Sequence, residues 1–129
     1  MLAINKTKVI GYKLVLGSFN GESFNTFIND KVIANSKKAS LFMDNARIHH
    51  YKKFKENMKE RKKDIIYNIP YSPQFNPIEY VFNVLKIEIA KQYVDTYEAL
   101  IKFIDRFIIK MNKITFNKYF QKSYKNLFE

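Results

Sequence analysis

The sequence predicts a mixed α/β layer fold, and three observations carry that expectation. Short runs of branched and aromatic residues fill the first half, each closed by polar, Gly or Pro positions. Apolar stripes at helical spacing alternate with those runs. Three helical stripes then follow one another with no strand signal between them, giving the order β-β-α-β-α-β-α-α-α.

Taken in order, Leu2–Asn5 and Val9–Leu16 flank polar Asn5-Lys6-Thr7-Lys8 and read as a hairpin. Gly17-Ser18-Phe19-Asn20-Gly21 breaks the pattern, and Phe24, Phe27, Ile28 and Ile33 then predict an amphipathic helix over Glu22–Ala34. Asn35-Ser36-Lys37-Lys38 is a loop before a strand over Ala39–Met43. Tyr51, Phe54 and Met58 mark the next helix, and Asp64–Ile69 the next strand, ended by Pro70 and Pro73. Pro77 after Asn76 starts a helix whose buried stripe is Ile78, Val81, Phe82, Leu85 and Ile89. Helices over Thr96–Met111 and Phe116–Leu127 close the chain, which carries no repeat and no linker and is expected to be one domain, 1–129.

At 47% hydrophobic residues the chain can bury a core of its own. Its 23 basic and 12 acidic residues leave a net charge of +11, a field that favours polyanions, nucleic acid above all. An A- and T-rich genome inflates Lys, Asn, Ile, Tyr and Phe, so charge alone does not decide between a partner and a coding bias. Without cysteine there are no disulfides, thiolate metal sites or cysteine nucleophiles. Neither a signal peptide nor a membrane span is expected, so the reading is of an intracellular protein with no membrane partner.

Two carboxylates stand out. Asp44 ends the apolar run Ser40-Leu41-Phe42-Met43 and opens Asp44-Asn45-Ala46-Arg47-Ile48-His49. Glu79 closes Pro70-Tyr71-Ser72-Pro73-Gln74-Phe75-Asn76-Pro77-Ile78-Glu79, with thirty-four residues between it and Asp44. A carboxylate at the end of a buried strand and another at the start of a helix suit a divalent-metal site for phosphoryl transfer. Each also has an ordinary explanation. Asp-Asn after a strand makes an Asx turn, and a Glu three positions after an Asn cap closes a capping box. His49 is a candidate contact to the site or to a phosphate, or a helix cap. Lys86 lies two turns beyond Glu79 on nearly the same face, with Asn83 between them. Lys52, Lys53, Lys62 and Lys63, within the basic 52–63 stretch, are the candidate DNA contacts, although Glu56 and Glu60 make part of this a salt-bridged helix face.

Jointly these motifs resemble the catalytic core of mariner-superfamily transposases, members of the DDE group with a ribonuclease-H-like fold. That family has an apolar strand ending in Asp-Asn-Ala followed by His, as at Asp44-Asn45-Ala46 and His49. Its Pro-Tyr-Ser-Pro-x-x-Asn-Pro-Ile-Glu block is matched at every fixed position from Pro70 to Glu79, and an aromatic and Leu-Lys follow as Phe82 and Leu85-Lys86. The likeness runs over about residues 1–110, the last helix matching only loosely. It implies a ribonuclease-H-like mixed sheet flanked by helices. It also implies Asp44 and Glu79 as catalytic metal ligands, with Asn45, His49, Asn76 and Lys86 supporting the site or the DNA.

The implied activity is DNA cleavage and strand transfer with Mg²⁺ (or Mn²⁺) on double-stranded DNA, transposon ends and target alike, with a homodimer expected. The nucleus or the bacterial cytoplasm and nucleoid would be the compartment, according to host. One departure matters. The family's first catalytic Asp lies on a strand before the hairpin, and here nothing precedes it. Glu22 and Asp30 are no substitutes. The expectation is therefore a partial domain, its first central strand missing, with metal binding weakened or lost and no cleavage by the chain alone. A non-catalytic DNA-binding module or a functionless remnant is the alternative.

Overall fold

The computed structural model describes residues 1–128; Glu129, the end of the expected domain, lies outside the described residues. The elements follow the expected order. β1 (Leu2–Ile4) and β2 (Val9–Tyr12) form an antiparallel hairpin, α1 (Gly21–Phe27) follows, and β3 (Leu41–Met43), α2 (Lys52–Glu60) and β4 (Ile65–Tyr67) alternate. α3 (Ile78–Ala90), α4 (Tyr97–Met111) and α5 (Asn117–Phe128) complete the chain. Single 3₁₀ turns occupy Arg47–His50 and Pro73–Phe75.

The strands fall into two two-stranded sheets, β1-β2 antiparallel and β3-β4 parallel, and not into one continuous sheet. Among the described residues no strand hydrogen-bonds both β1 and β3, so each keeps an open edge. Strands are also shorter than expected. Lys13 N–H donates to Met1 O as the last hairpin bond, leaving Val15 and Leu16 exposed. At β3, the ladder opens at Leu41 N–H, which donates to Asp64 O, while Ala39 O accepts from the Lys63 ammonium at 2.8 Å.

Two apolar clusters flank the hairpin. The first joins Phe24, Phe27, Ile28 and Val32 to Leu41, Met43, Phe54 and Met58, with Ala3, Ile10, Ile65 and Tyr67 against it. The second joins Val9, Val81, Phe107, Ile108, Met111 and Phe116, with Leu2, Ile4 and Tyr12 against it. Alternate side chains of β1 therefore enter opposite clusters, as strand pleating requires.

Helical details depart from the expected stripes. The helix after Phe27 widens to a π turn over Ile28–Val32 and tightens to 3₁₀ over Ile33–Asn35. On α3 only Val81 is buried; Ile78, Phe82, Leu85 and Ile89 are half-buried, because the second cluster receives α3 through Val81, Val84 and Leu85 alone. Thr96 caps α4 by accepting from Ala99 N–H at 3.1 Å. No helix among the described residues is long and apolar enough to cross a membrane.

Candidate active site

Parallel pairing of Leu41↔Ile65, Phe42↔Ile66 and Met43↔Tyr67 brings the segments after β3 and β4 out side by side at the carboxyl ends of the strands. Such an end is where open α/β sheets collect functional groups. Asn68 N–H donates to Met43 O at 2.7 Å, and the Asn45 side-chain amide donates to Asn68 O. Asn68 is buried; its Nδ2 donates to Ser72 O at 2.7 Å and its Oδ1 accepts from Ile69 N–H at 2.9 Å. The strand end carrying Asp44 is thus tied to the segment leading to Glu79.

Asp44 is half exposed, and its Oδ1 accepts from Ala46 N–H at 2.8 Å, which is the Asx turn expected of Asp-Asn. His49 Nδ1 lies 2.8 Å from the same oxygen and 3.1 Å from Asp44 O. Both partners are acceptors, so Nδ1 carries the proton and donates. Among the described residues nothing engages Oδ2. The turn and a ligand role are therefore compatible, since the turn uses one oxygen and leaves the other open.

His49 is fixed from three sides. Its ring tilts against Phe24 at 4.5 Å, its N–H donates to Ala46 O at 2.9 Å, and its carbonyl accepts from the Tyr67 hydroxyl at 2.7 Å. Burial pushes the Tyr67 phenol pKa up from its ordinary value. His50, which sequence reasoning passed over, stacks on Tyr67 at 4.3 Å, and its Nε2 sits 3.2 Å from Asn45 Oδ1. Asn45 therefore links His50 to Asn68 and spans the two strand ends. Tyr67 was legible only as the strand neighbour of Ile65 at period two; nothing local marks His50 or Asn68.

The block bearing Glu79 is a sequence of tight turns. Tyr71 adopts a left-handed φ of 55° and is fully exposed. The cap position of α3 falls to Pro77 and not to Asn76 as expected; buried Asn76, one residue earlier, accepts at Oδ1 from Ile78 N–H at 3.3 Å, while Glu79 N–H donates to Asn76 O at 3.1 Å. The capping box does not form. Asn76 N–H already donates to Pro73 O at 3.0 Å, so no cap donor is left for the Glu79 side chain. Glu79 is half-buried, and among the described residues no hydrogen bond or ion pair engages its carboxylate. Lys86 and Asn83 are exposed further along α3, also without partners among the described residues.

The four candidate DNA lysines differ. Lys52 pairs loosely with Glu56 at 3.8 Å, an exposed pair of little energetic weight. Lys53 is exposed, and Lys62 is exposed at a left-handed φ of 53°. Lys63 is committed elsewhere, its ammonium donating to Ser36 O at 2.9 Å and Ala39 O at 2.8 Å.

As for a cation, no group of three or more His, Cys, Asp or Glu side chains able to hold a metal occurs among the described residues. What Asp44 and Glu79 offer is hard oxygen donors, which suit Mg²⁺ or Mn²⁺. Mg²⁺ commonly takes one or two carboxylates and completes its shell with water and substrate phosphates. The donor set fits in kind and falls short in number.

Helices around small sheets, with Asp44 just beyond the end of β3 and Glu79 on the helix that follows β4, make an α/β fold that solved structures share. The catalytic domain of Mos1 mariner transposase aligns with a TM-score of 0.74 at 17% identity, over 96% of this chain and 66% of that one. The Mos1 strand transfer complex aligns at 0.79 and 20% identity, over 95% of this chain and 38% of that one. The Mos1 catalytic domain with raltegravir and Mg aligns at 0.75 and 19% identity, over 96% and 67%. This chain thus spans about two thirds of that catalytic domain, and identities this low establish the fold alone. The DDE superfamily endonuclease family matches residues 1–101, and the chain belongs to it. No curated protein matches the chain.

Proposed function

We propose that this chain is the core of a DDE transposase catalytic domain. It would grip double-stranded DNA and contribute Asp44 and Glu79 to a divalent-cation site for DNA cleavage and strand transfer. The observation that carries the reading is that Asp44, just beyond the end of β3, and Glu79, in the first turn of the helix that follows β4, each keep an oxygen unengaged among the described residues, while the Asn45–Asn68 bond ties the ends of the two parallel strands. Homologous structures contain Mg and Mn, which supports those ions here.

A bound ion would supply Lewis-acid activation of the attacking oxygen and neutralise charge on the leaving one. The chain's own residues prepare for it. His49 Nδ1–H holds Oδ1 of the Asp44 carboxylate and leaves Oδ2 unengaged among the described residues. Asn76 fixes the first turn of α3 and so the position of Glu79. Lys52, Lys53 and Lys62 neutralise phosphates, with Lys86 near the scissile position. Lys63, held by two carbonyls, adds only its long-range charge. A pair of such chains, as a homodimer, would engage two DNA ends.

Two carboxylates do not complete the site, so the chain alone is expected to bind DNA without cutting it. The check is incubation of supercoiled plasmid with Mn²⁺ and purified chain. Nicking abolished by Asp44→Ala would sink that expectation and establish activity. A second reading is a DNA-binding module that performs no chemistry; it fits the absence, among the described residues, of a group of three metal-ligating side chains. It requires salt-sensitive duplex binding that persists in Asp44→Ala and Glu79→Ala and falls when Lys52, Lys53 and Lys62 are neutralised.

A further inference from the structure

We infer that α5 is a second DNA-backbone contact, presenting Lys118 and Lys122 beside the segment that carries Glu79. The inference rests on the DNA-binding reading above and adds a surface that no motif marked. α5 carries Lys118, Lys122 and Lys125 and no Asp or Glu between residues 117 and 128. Spacings of four and three put the three lysines on one face of the helix.

The adjoining face is docked. Tyr119 stacks on Tyr80 at 5.6 Å with the rings 11° from parallel. Asn126 Nδ2 donates to Gln74 O at 3.1 Å and to the Tyr80 hydroxyl at 3.2 Å. Tyr80 follows Glu79 directly, so the lysine face runs along the Gln74–Tyr80 segment.

Lys118 and Lys122, like Lys55 over Tyr67 at 5.5 Å, are held by aromatic rings, whereas several other lysines are held by acids or carbonyls. Lys91 and Lys110 share Glu88, Lys52 has Glu56, and Lys63 has two carbonyls. Lys122 instead lies over the Tyr80 ring at 4.9 Å, and Lys118 over Tyr119 at 5.0 Å. A ring face orients an ammonium without neutralising it. Both side chains are exposed. Two cations held in place, uncompensated among the described residues and flanking a stacked pair of rings, suit the phosphates of a duplex more than a protein surface, whose carboxylates would be met equally well by α2.

The test is duplex binding by fluorescence anisotropy across a salt series, with the full chain, Lys118→Gln/Lys122→Gln, Lys118→Arg/Lys122→Arg and Lys52→Gln/Lys53→Gln. Losing two phosphate contacts should reduce the slope of log K against log salt by about 2 and weaken binding by about tenfold or more near 0.1 M salt. The arginine pair should keep the wild-type slope, and this separates charge from any disturbance of the helix. An unchanged slope in the glutamine pair, with a reduced one in the α2 pair, overturns this inference and leaves the DNA-binding reading standing. Salt-independent or absent binding by the wild-type chain overturns both.

Discussion

Asn45 shows how much one side chain can decide. Its amide donates to Asn68 O, and its Oδ1 faces His50 Nε2 at 3.2 Å. Asn45→Ala should cost about 1 kcal/mol for the part-buried bond it removes. Asn45→Asp should cost at least as much, because it sets an acceptor against the Asn68 carbonyl. In hydrogen exchange, both should speed the amides of residues 68–76 relative to those of α4. Uniform acceleration across the chain would show that Asn45 contributes only to global stability. Gly21 is a second single-residue constraint. A Cβ there would lie 2.4 Å from Tyr51 Cγ and 2.6 Å from Cδ2, within the body of a ring that precedes α2. Gly21→Ala should therefore destabilise by about 1–3 kcal/mol in a urea melt, as overpacking does.

At the scale of elements, α2 ends in a Schellman arrangement. Lys63 N–H donates to Met58 O at 2.8 Å and Lys62 N–H to Lys59 O at 3.0 Å, with Lys62 in the left-handed region where glycine is usual. Lys62→Gly should stabilise the fold by about 0.5–1 kcal/mol, the left-handed cost of lysine set against glycine's greater unfolded freedom. The same change should weaken DNA binding if Lys62 meets a phosphate, so melting temperature and affinity should move in opposite senses. The element order was legible because the switch between period two and helical spacing is local, and Pro70, Pro73 and Pro77 mark the ends. That Asp44 follows β3 and Glu79 stands in the first turn of α3 was legible for the same reason. Features set by tertiary approach were not. The π turn lies where Gly11 meets Lys31, with a Cβ on Gly11 falling 2.8 Å from Lys31 Cβ. The His50–Tyr67 stack depends on the parallel register, and the missing capping box on Pro73 claiming the Asn76 amide.

The whole molecule depends on a hairpin shared by two clusters, and its attachments set how the two respond together. Phe54 in the first cluster and Phe116 in the second are both fully buried, so alanine at either should cost about 3–5 kcal/mol. Beyond packing, β2 is fastened to α4 by the Tyr12 hydroxyl, which donates to Asp105 Oδ1 at 2.8 Å. That hydrogen bond first, then burial, then the carboxylate's charge push the Tyr12 pKa above its ordinary 10.0. A phenol whose folded pKa is raised binds its proton more tightly when folded. Its stabilisation is complete below about pH 10 and is lost as pH climbs through the raised value. Tyr12→Phe should therefore be less stable than wild type by about 0.5–1.5 kcal/mol at pH 8. The gap should close at higher pH, where the wild-type phenol ionises beside Asp105 and the bond becomes a repulsion. Lysine deprotonation over the same range affects both proteins alike and cancels in the comparison. Urea denaturation of the two proteins at pH 8 and pH 11 is the measurement. A gap that stays constant would mean that Tyr12 acts through its ring in the second cluster, and that the bond to Asp105 does not couple hairpin to helix.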